Sequence, residues 1–420
     1  MPVFPVNRQP PTITMNVSAY IHIPFCIRKC LYCDFASYPG KEHFFQPYVE
    51  AVRAEIRRAA ELFPDARIPT IYFGGGTPNL LAPEQLESIL DEVKRCFRVA
   101  EDAEITTEAN PGVAGCQLPV ASKPPRPSGP VPLRKGDSPE NREGHSTIRN
   151  LCEVGFNRLS LGVQSFHDNE LRALGRVHTA EEAIRSFRDA RESEFENISI
   201  DLMYGIPEQT LESWRETWDG ALDLGPEHIS LYSLTVEEGT PFWDMCQAGN
   251  LQLPGNDIEA DMYEEAIRVL TGAGFVHYEI SNFARPGFEC RHNITYWRNE
   301  PYFGFGSGAA SYLCDVRAMN MRSVEEYIRR IESGQSPVES EEQLAQRESM
   351  GETMFLGLRM LRGVDVNAFI RRYGISPDEA FPAEIANLME RGLIEKADNC
   401  IRLTHIGLLL ANDVFAEFVG

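Results

Sequence analysis

The sequence contains no unbroken apolar run of the roughly 18 residues that a membrane-spanning helix needs, so no spanning segment is expected. Positive charge is scarce: 40 Lys and Arg stand against 62 Asp and Glu, for a formal net charge of -22. Such a field repels phosphate backbones, which excludes nucleic acid as the expected partner. The opening stretch MPVFPVNRQPPTITMNV has one arginine and no apolar centre, so neither a secretory signal nor a transit peptide is expected. Regular cysteine pairing is missing as well. Seven of the ten cysteines (Cys96, Cys116, Cys152, Cys246, Cys290, Cys314 and Cys400) stand singly, unlike the dense spacing of secreted disulfide scaffolds, and a reducing cytoplasm is the expected setting. The other three, Cys26, Cys30 and Cys33, fall within eight positions, and no fourth follows them.

What is present is an alternation. AYIHI, TIYFGGG, AEITTEA, NRLSLGV, NISIDLMYG and HISLYSL read as six strands between residues 19 and 234. Stretches with helical apolar spacing separate most of them, at 44–62, 83–97, 179–192 and 210–224. Strand and helix in regular succession imply an α/β fold with a parallel sheet, open or curled into a barrel, with its chemistry at the C-terminal strand ends. At 420 residues the chain has room for one large unit and one or two smaller ones.

The rhythm breaks at 112–146, where seven prolines and no sustained period imply a disordered insertion. After residue 236 the alternation stops. A helix is expected at 257–272 and another near 323–333, then an acidic break from Glu339 to Glu342. The last segment reads as helices followed by two short strands around Ala397, Asp398 and Asn399. That order suits a winged-helix DNA reader, but residues 339–420 carry 14 acidic and 8 basic side chains, which favours a helical packing domain. The expected divisions are an extension at 1–18, a core at 19–236, a connecting region at 237–338 and a C-terminal unit at 339–420.

C-x3-C-x2-C directly after a strand admits three readings. Structural zinc wants four ligands, usually in two spaced pairs, and no second pair follows. A redox C-x2-C leaves Cys26 without a task. A four-iron cubane held by three thiolates leaves one iron open to an exchangeable ligand. In this spacing, with YIHIPFC before it and Tyr32 inside it, the chain resembles the radical S-adenosylmethionine superfamily, and within it the subgroup of oxygen-independent coproporphyrinogen III oxidase and the haem chaperone family HemW.

That resemblance implies a partial (β/α)6 barrel with a C-terminal, mostly helical domain like that of the oxidase, ending in a small β-hairpin. It implies a [4Fe-4S] cluster on Cys26, Cys30 and Cys33, whose open iron is chelated by S-adenosylmethionine; reduction of the cluster then splits the sulfonium to a 5'-deoxyadenosyl radical. It also implies S-adenosylmethionine contacts from Tyr20, Tyr32, Gly75, Gly76, Thr77, Glu108, Gln164, Arg176 and Asp201. Physical reasons stand beside several of these: glycines allow close backbone approach, a guanidinium suits a carboxylate, and an acid suits ribose hydroxyls.

Two functions compete. The oxidase continues its loop as C-x3-C-x2-C-x-C and carries a longer N-terminal extension; here Phe35 stands in the fourth position and 19 residues precede Tyr20. HNITYW, His292 to Trp297, matches the HNxxYW signature of the chaperone branch, which implies haem on His292, Tyr296 and Trp297: an imidazole as axial ligand, and flat aromatic area for a macrocycle. A hydrogen-bonded packing role for His292 is the alternative, and Cys290 is a second possible haem ligand. The expected function is a haem chaperone passing haem to an acceptor haemoprotein, with transient membrane contact where that acceptor is membrane-bound. The alternative is radical decarboxylation of coproporphyrinogen III. A third reading is a scaffold in which the cluster only stabilises the fold.

Overall fold

The structure, a computed structural model, describes residues 15–113 and 143–419. Most of the expected 1–18 extension and of the 112–146 insertion lies outside the described residues, as does Cys116. Six parallel strands lie side by side in chain order: β1 (Ser18–Ile23), β2 (Arg67–Gly75), β3 (Arg98–Ala109), β4 (Arg158–Gln164), β5 (Ile198–Tyr204) and β6 (His228–Ser233). They coincide with the six expected runs. Between them run α1 (Phe45–Leu62), α2 (Pro83–Cys96), α3 (Glu143–Val154), α4 (Asp168–Ala173), α5 (Ala180–Glu192) and α6 (Leu211–Leu224).

The local causes are plain in the side chains. Every residue of β4, RLSLGVQ, is buried, as a central parallel strand covered on both faces must be. Helix α1 buries Phe45, Tyr48, Val49, Val52 and Ile56, one stripe at helical spacing. Thr179 opens α5 by accepting from the Glu182 N–H, while the Glu182 carboxylate accepts from the Thr179 N–H, so two otherwise unpaired donors are satisfied.

After residue 236 the strand–helix rhythm ends but the sheet continues. Helices α7 (Pro241–Gln247) and α8 (Asn256–Gly272) lead to the hairpin β7 (Val276–Glu279) and β8 (Asn282–Ala284), which pairs antiparallel with β6. Helix α9 (Arg291–Trp297) then carries the chain back to the opposite border. There β9 (Tyr302–Phe305) lies parallel to β1, with Ser18 opposite Tyr302 and Ile21 opposite Phe305. Strands β10 (Ala310–Leu313), β11 (Val316–Asn320) and β12 (Val338–Gln343) extend it to twelve strands in one sheet. The segment Glu339–Glu342, read from sequence as a break, is thus an edge strand; with a neighbour on one side only and exposed faces, it tolerates charge at nearly every position. The sheet ends at β12 and β7 without joining them, so the barrel is partial.

The C-terminal unit has its own apolar cluster, with Met354, Phe369, Phe381, Leu388 and Val414 at its centre. It also holds a small sheet of β13 (Val364–Asp365), β14 (Ile394–Ala397) and β15 (Cys400–Leu403). Asp398 and Asn399 join β14 to β15 with φ of 51° and 61°, the left-handed pair that a tight hairpin turn requires. Arg317 on β11 forks onto Glu352 at 2.7 and 2.6 Å and pins this unit to the large sheet. No helix among the described residues is long and apolar enough to cross a membrane.

Candidate functional site

The chain's polar strand ends converge on a cavity of about 530 Å³ walled by Cys26, Cys30 and Cys33. The cysteine loop is held by backbone: Gly76 N–H donates to Ile23 O at 2.8 Å and Thr77 N–H to Phe25 O at 2.7 Å. This explains the glycine run after β2. A Cβ on Gly76 would sit 2.5 Å from Phe25 O, and one on Gly75, where φ is 111°, would sit 2.4 Å from the His22 ring. Each thiol meets a polar neighbour: Cys26 Sγ lies 3.5 Å from Thr77 Oγ1, Cys33 Sγ 3.9 Å from Ser37 Oγ, and Arg176 Nη1 donates to Cys30 Sγ at 3.7 Å. Burial pushes the Cys26 and Cys33 thiols up from their ordinary value, a tendency that a bound cation reverses.

Glu108 closes the opposite wall. Its carboxylate accepts from Tyr72 O–H at 2.9 Å and Gly75 N–H at 3.1 Å, and burial pushes it up to about 7. Asp201 accepts from Ser160 Oγ at 3.0 Å and is likewise raised, chiefly by burial. Gln164 sits at φ 68°, a strained value for a residue with a Cβ, and its buried Oε1 has no partner. Arg176 Nη2 donates to Asn110 Oδ1 and Gly162 O at 2.6 and 2.7 Å, while its Nε is unpaired. Among the described residues no three His, Cys, Asp or Glu side chains converge on one point, as a single ion requires. Thiolates that each bind a separate iron of a cubane need no such convergence, so the donor set fits a cluster better than zinc. The unpaired Gln164 and Arg176 atoms beside the thiols fit a polar ligand next to that cluster.

Of the expected contacts, Tyr32, Gly75, Gly76, Glu108, Gln164, Arg176 and Asp201 line this cavity; Tyr20 and Thr77 do not. Thr77 is 2% exposed and braces Cys26 and Asn110 from behind. Tyr20 lines a second cavity, of about 600 Å³, together with Tyr296 and Trp297. The two cavities share Asp34, Phe35, Gly75 and Glu108 as common wall. His292 lines neither; it is 1% exposed, with Nδ1 at 2.8 Å from Thr70 Oγ1 and Nε2 at 2.9 Å from Tyr296 OH. Cys290 is fully buried, its thiol pushed up to about 12 mainly by burial, and it too lines neither cavity. Helix α9 is anchored by Glu104, whose carboxylate accepts from Arg291 N–H at 2.9 Å and His292 N–H at 3.0 Å.

Comparison with known proteins follows the same division. Residues 20–219 match the family described as the radical SAM superfamily, and residues 344–410 match the HemN C-terminal domain. The heme chaperone HemW of Bacillus subtilis is 40% identical over 404 residues, covering 96% of this chain and 99% of that protein. The heme chaperone HemW of Escherichia coli is 31% identical, covering 96% and 98%. The chain belongs to the HemW family. The solved coproporphyrinogen III oxidase (HemN) of Escherichia coli has a TM-score of 0.77 at 24% identity, covering 96% of this chain and 90% of that one, which supports the shared fold.

Within this HemW-family site, sequence reasoning passed over Asn110, which joins Arg176 to Thr77 and lines the cysteine cavity. Its position directly after Glu108–Ala109, at a strand's C-terminal end, was the available signal. Ser160 and Tyr232, on β4 and β6, also line the cysteine cavity. Nothing in their local sequence distinguishes them from ordinary strand residues.

Proposed function

We propose that this chain is a haem chaperone that holds haem against Tyr296 and Trp297 and passes it to an acceptor haemoprotein. Cys26, Cys30 and Cys33 hold a [4Fe-4S] cluster, and Tyr20, Tyr32, Gly75, Gly76, Thr77, Glu108, Gln164, Arg176 and Asp201 form the S-adenosylmethionine environment. The cluster, when bound, supplies an electron to the sulfonium. The chain's own groups orient the ligand: Glu108 accepts from an ammonium, the Arg176 guanidinium faces a carboxylate, and Asp201 accepts from ribose hydroxyls. Thr77 and Tyr20 act from outside the cysteine cavity, by bracing the loop and by walling the larger cavity.

The observation that carries the proposal is the shared wall. A thiol-lined chamber and an aromatic chamber meet at Gly75 and Glu108, so a macrocycle in one lies beside the nucleotide in the other. On this reading residues 19–236 supply the cofactor chamber, 237–338 the aromatic wall and 339–420 the unit that closes it. A reducing cytoplasm suits three unpaired thiols in one cavity, and a membrane-bound acceptor would be met by transient contact. The test is anaerobic reconstitution followed by optical titration with haemin and an assay of coproporphyrinogen III with reductant and S-adenosylmethionine. A Soret shift on titration and no protoporphyrinogen is the expected result. Decarboxylation would establish the oxidase reading, for which Phe35 stands where a fourth cysteine is expected. Loss of fold on iron removal, with neither haem nor nucleotide bound beforehand, would leave the scaffold reading.

A further inference from the structure

We infer that His292 is a positioning residue that ties the haem-facing Tyr296 to the nucleotide-facing Glu108, and that it is not an axial ligand to haem iron. The inference rests on the haem reading above. Both ring nitrogens of His292 are already engaged. The Thr70 hydroxyl donates to Ser18 Oγ at 2.8 Å, so it accepts from His292 Nδ1–H, and Nε2 accepts from the Tyr296 O–H. No lone pair is left for a metal. Turning the ring out would give up both of these bonds, leaving the buried Thr70 and Tyr296 hydroxyls short of a partner.

The same ring also reaches the other way. It stacks on Tyr72 with centroids 5.1 Å apart and planes 27° from parallel. Tyr72 O–H donates to Glu108, which walls both cavities. Tyr20 lies over the same pair, 6.1 Å from Tyr72 and 6.4 Å from His292. A continuous packed chain therefore runs Glu108, Tyr72, His292, Tyr296, from the wall that both chambers share to the aromatic chamber alone. Fixing either end narrows the freedom of the other, so haem and S-adenosylmethionine bind interdependently.

The experiment uses the reconstituted full chain, titrated with haemin with and without S-adenosylmethionine, and reads ferric-haem electron paramagnetic resonance beside Soret absorbance. In His292→Gln the haem spectrum keeps the wild-type spin state and line positions. Its haem Kd rises about fivefold, the worth of one hydrogen bond. In Tyr72→Phe, which keeps the ring and removes only the bond to Glu108, haem alone binds as in wild type, while the effect of S-adenosylmethionine on haem Kd shrinks. A change of spin state in His292→Gln that added imidazole reverses would overturn the inference, as would haem and nucleotide affinities that are independent in the wild type. Wild-type protein that takes up no haemin sinks the haem reading itself, and this inference with it.

Discussion

Gln164 concentrates the demands of the site on one backbone. It ends β4, accepts a left-handed φ of 68°, and leaves its side-chain Oε1 unpaired in a buried wall. A left-handed residue with a Cβ costs roughly 1 kcal/mol relative to glycine, which the fold must supply from elsewhere. Gln164→Gly should therefore melt at the same temperature or slightly higher, yet bind S-adenosylmethionine about tenfold more weakly, the worth of a lost buried hydrogen bond. Thermal melting and a nucleotide titration of the reconstituted protein check both halves. That polar residues gather at the strand ends was legible in the sequence; the choice among them came from the family resemblance. The side chains' directions were not: His292 reads in sequence as a ligand beside two aromatics, but only the fold shows that Thr70, fixed in β2, and Tyr296 already hold its two nitrogens.

Among elements, α1 carries an unusual burden in Glu55. This fully buried carboxylate accepts from Gly306 N–H at 2.8 Å, Asn320 Nδ2 at 2.7 Å and Tyr327 O–H at 2.6 Å, binding α1 to the β9–β11 border. Burial nevertheless wins over these three bonds and pushes its pKa up to about 7. The folded chain thus keeps this proton up to about pH 7, while the unfolded chain releases it near pH 4.5, so the residue's contribution to stability falls as pH rises between the two. Relative to wild type, Glu55→Gln should gain on the order of 3 kcal/mol between pH 5 and pH 8, read from denaturant unfolding at both. The elements themselves divide by visibility. β1 to β6 are apolar runs set between helical periods and could be read directly. β9 to β12 are four to six residues long and partly polar, and β9 joins β1 from the far end of the chain, so no sustained period announces them and nothing nearby announces the border they join.

For the whole molecule, the question is how the C-terminal unit stays seated against the sheet. Arg317 forks onto Glu352, and Arg372 donates to Asn299 O and Tyr312 OH, both at 2.8 Å. These contacts lie beside the aromatic chamber, whose wall includes Arg317 and Glu352. The double variant Arg317→Met, Arg372→Met should exchange amide hydrogen faster across 344–410 and bind haem about tenfold more weakly, with the cluster spectrum and its response to S-adenosylmethionine unchanged. Equal loosening of β1 to β6 would contradict the seating role. The division into a strand–helix core and a later helical unit was visible from where the alternation stops. That the intervening region builds both borders of the same sheet was not, because chain order says nothing about which border a returning strand joins.

The outermost strand, VESEEQ, has a neighbouring strand on one side only. Two copies meeting border to border would bring Glu339, Glu341 and Glu342 of one alongside the same three of the other, a repulsion that keeps crowded molecules from zipping into a shared ribbon. Substituting lysine at one of these positions and leucine at another would remove that mutual refusal, and light scattering from concentrated samples would register the resulting growth.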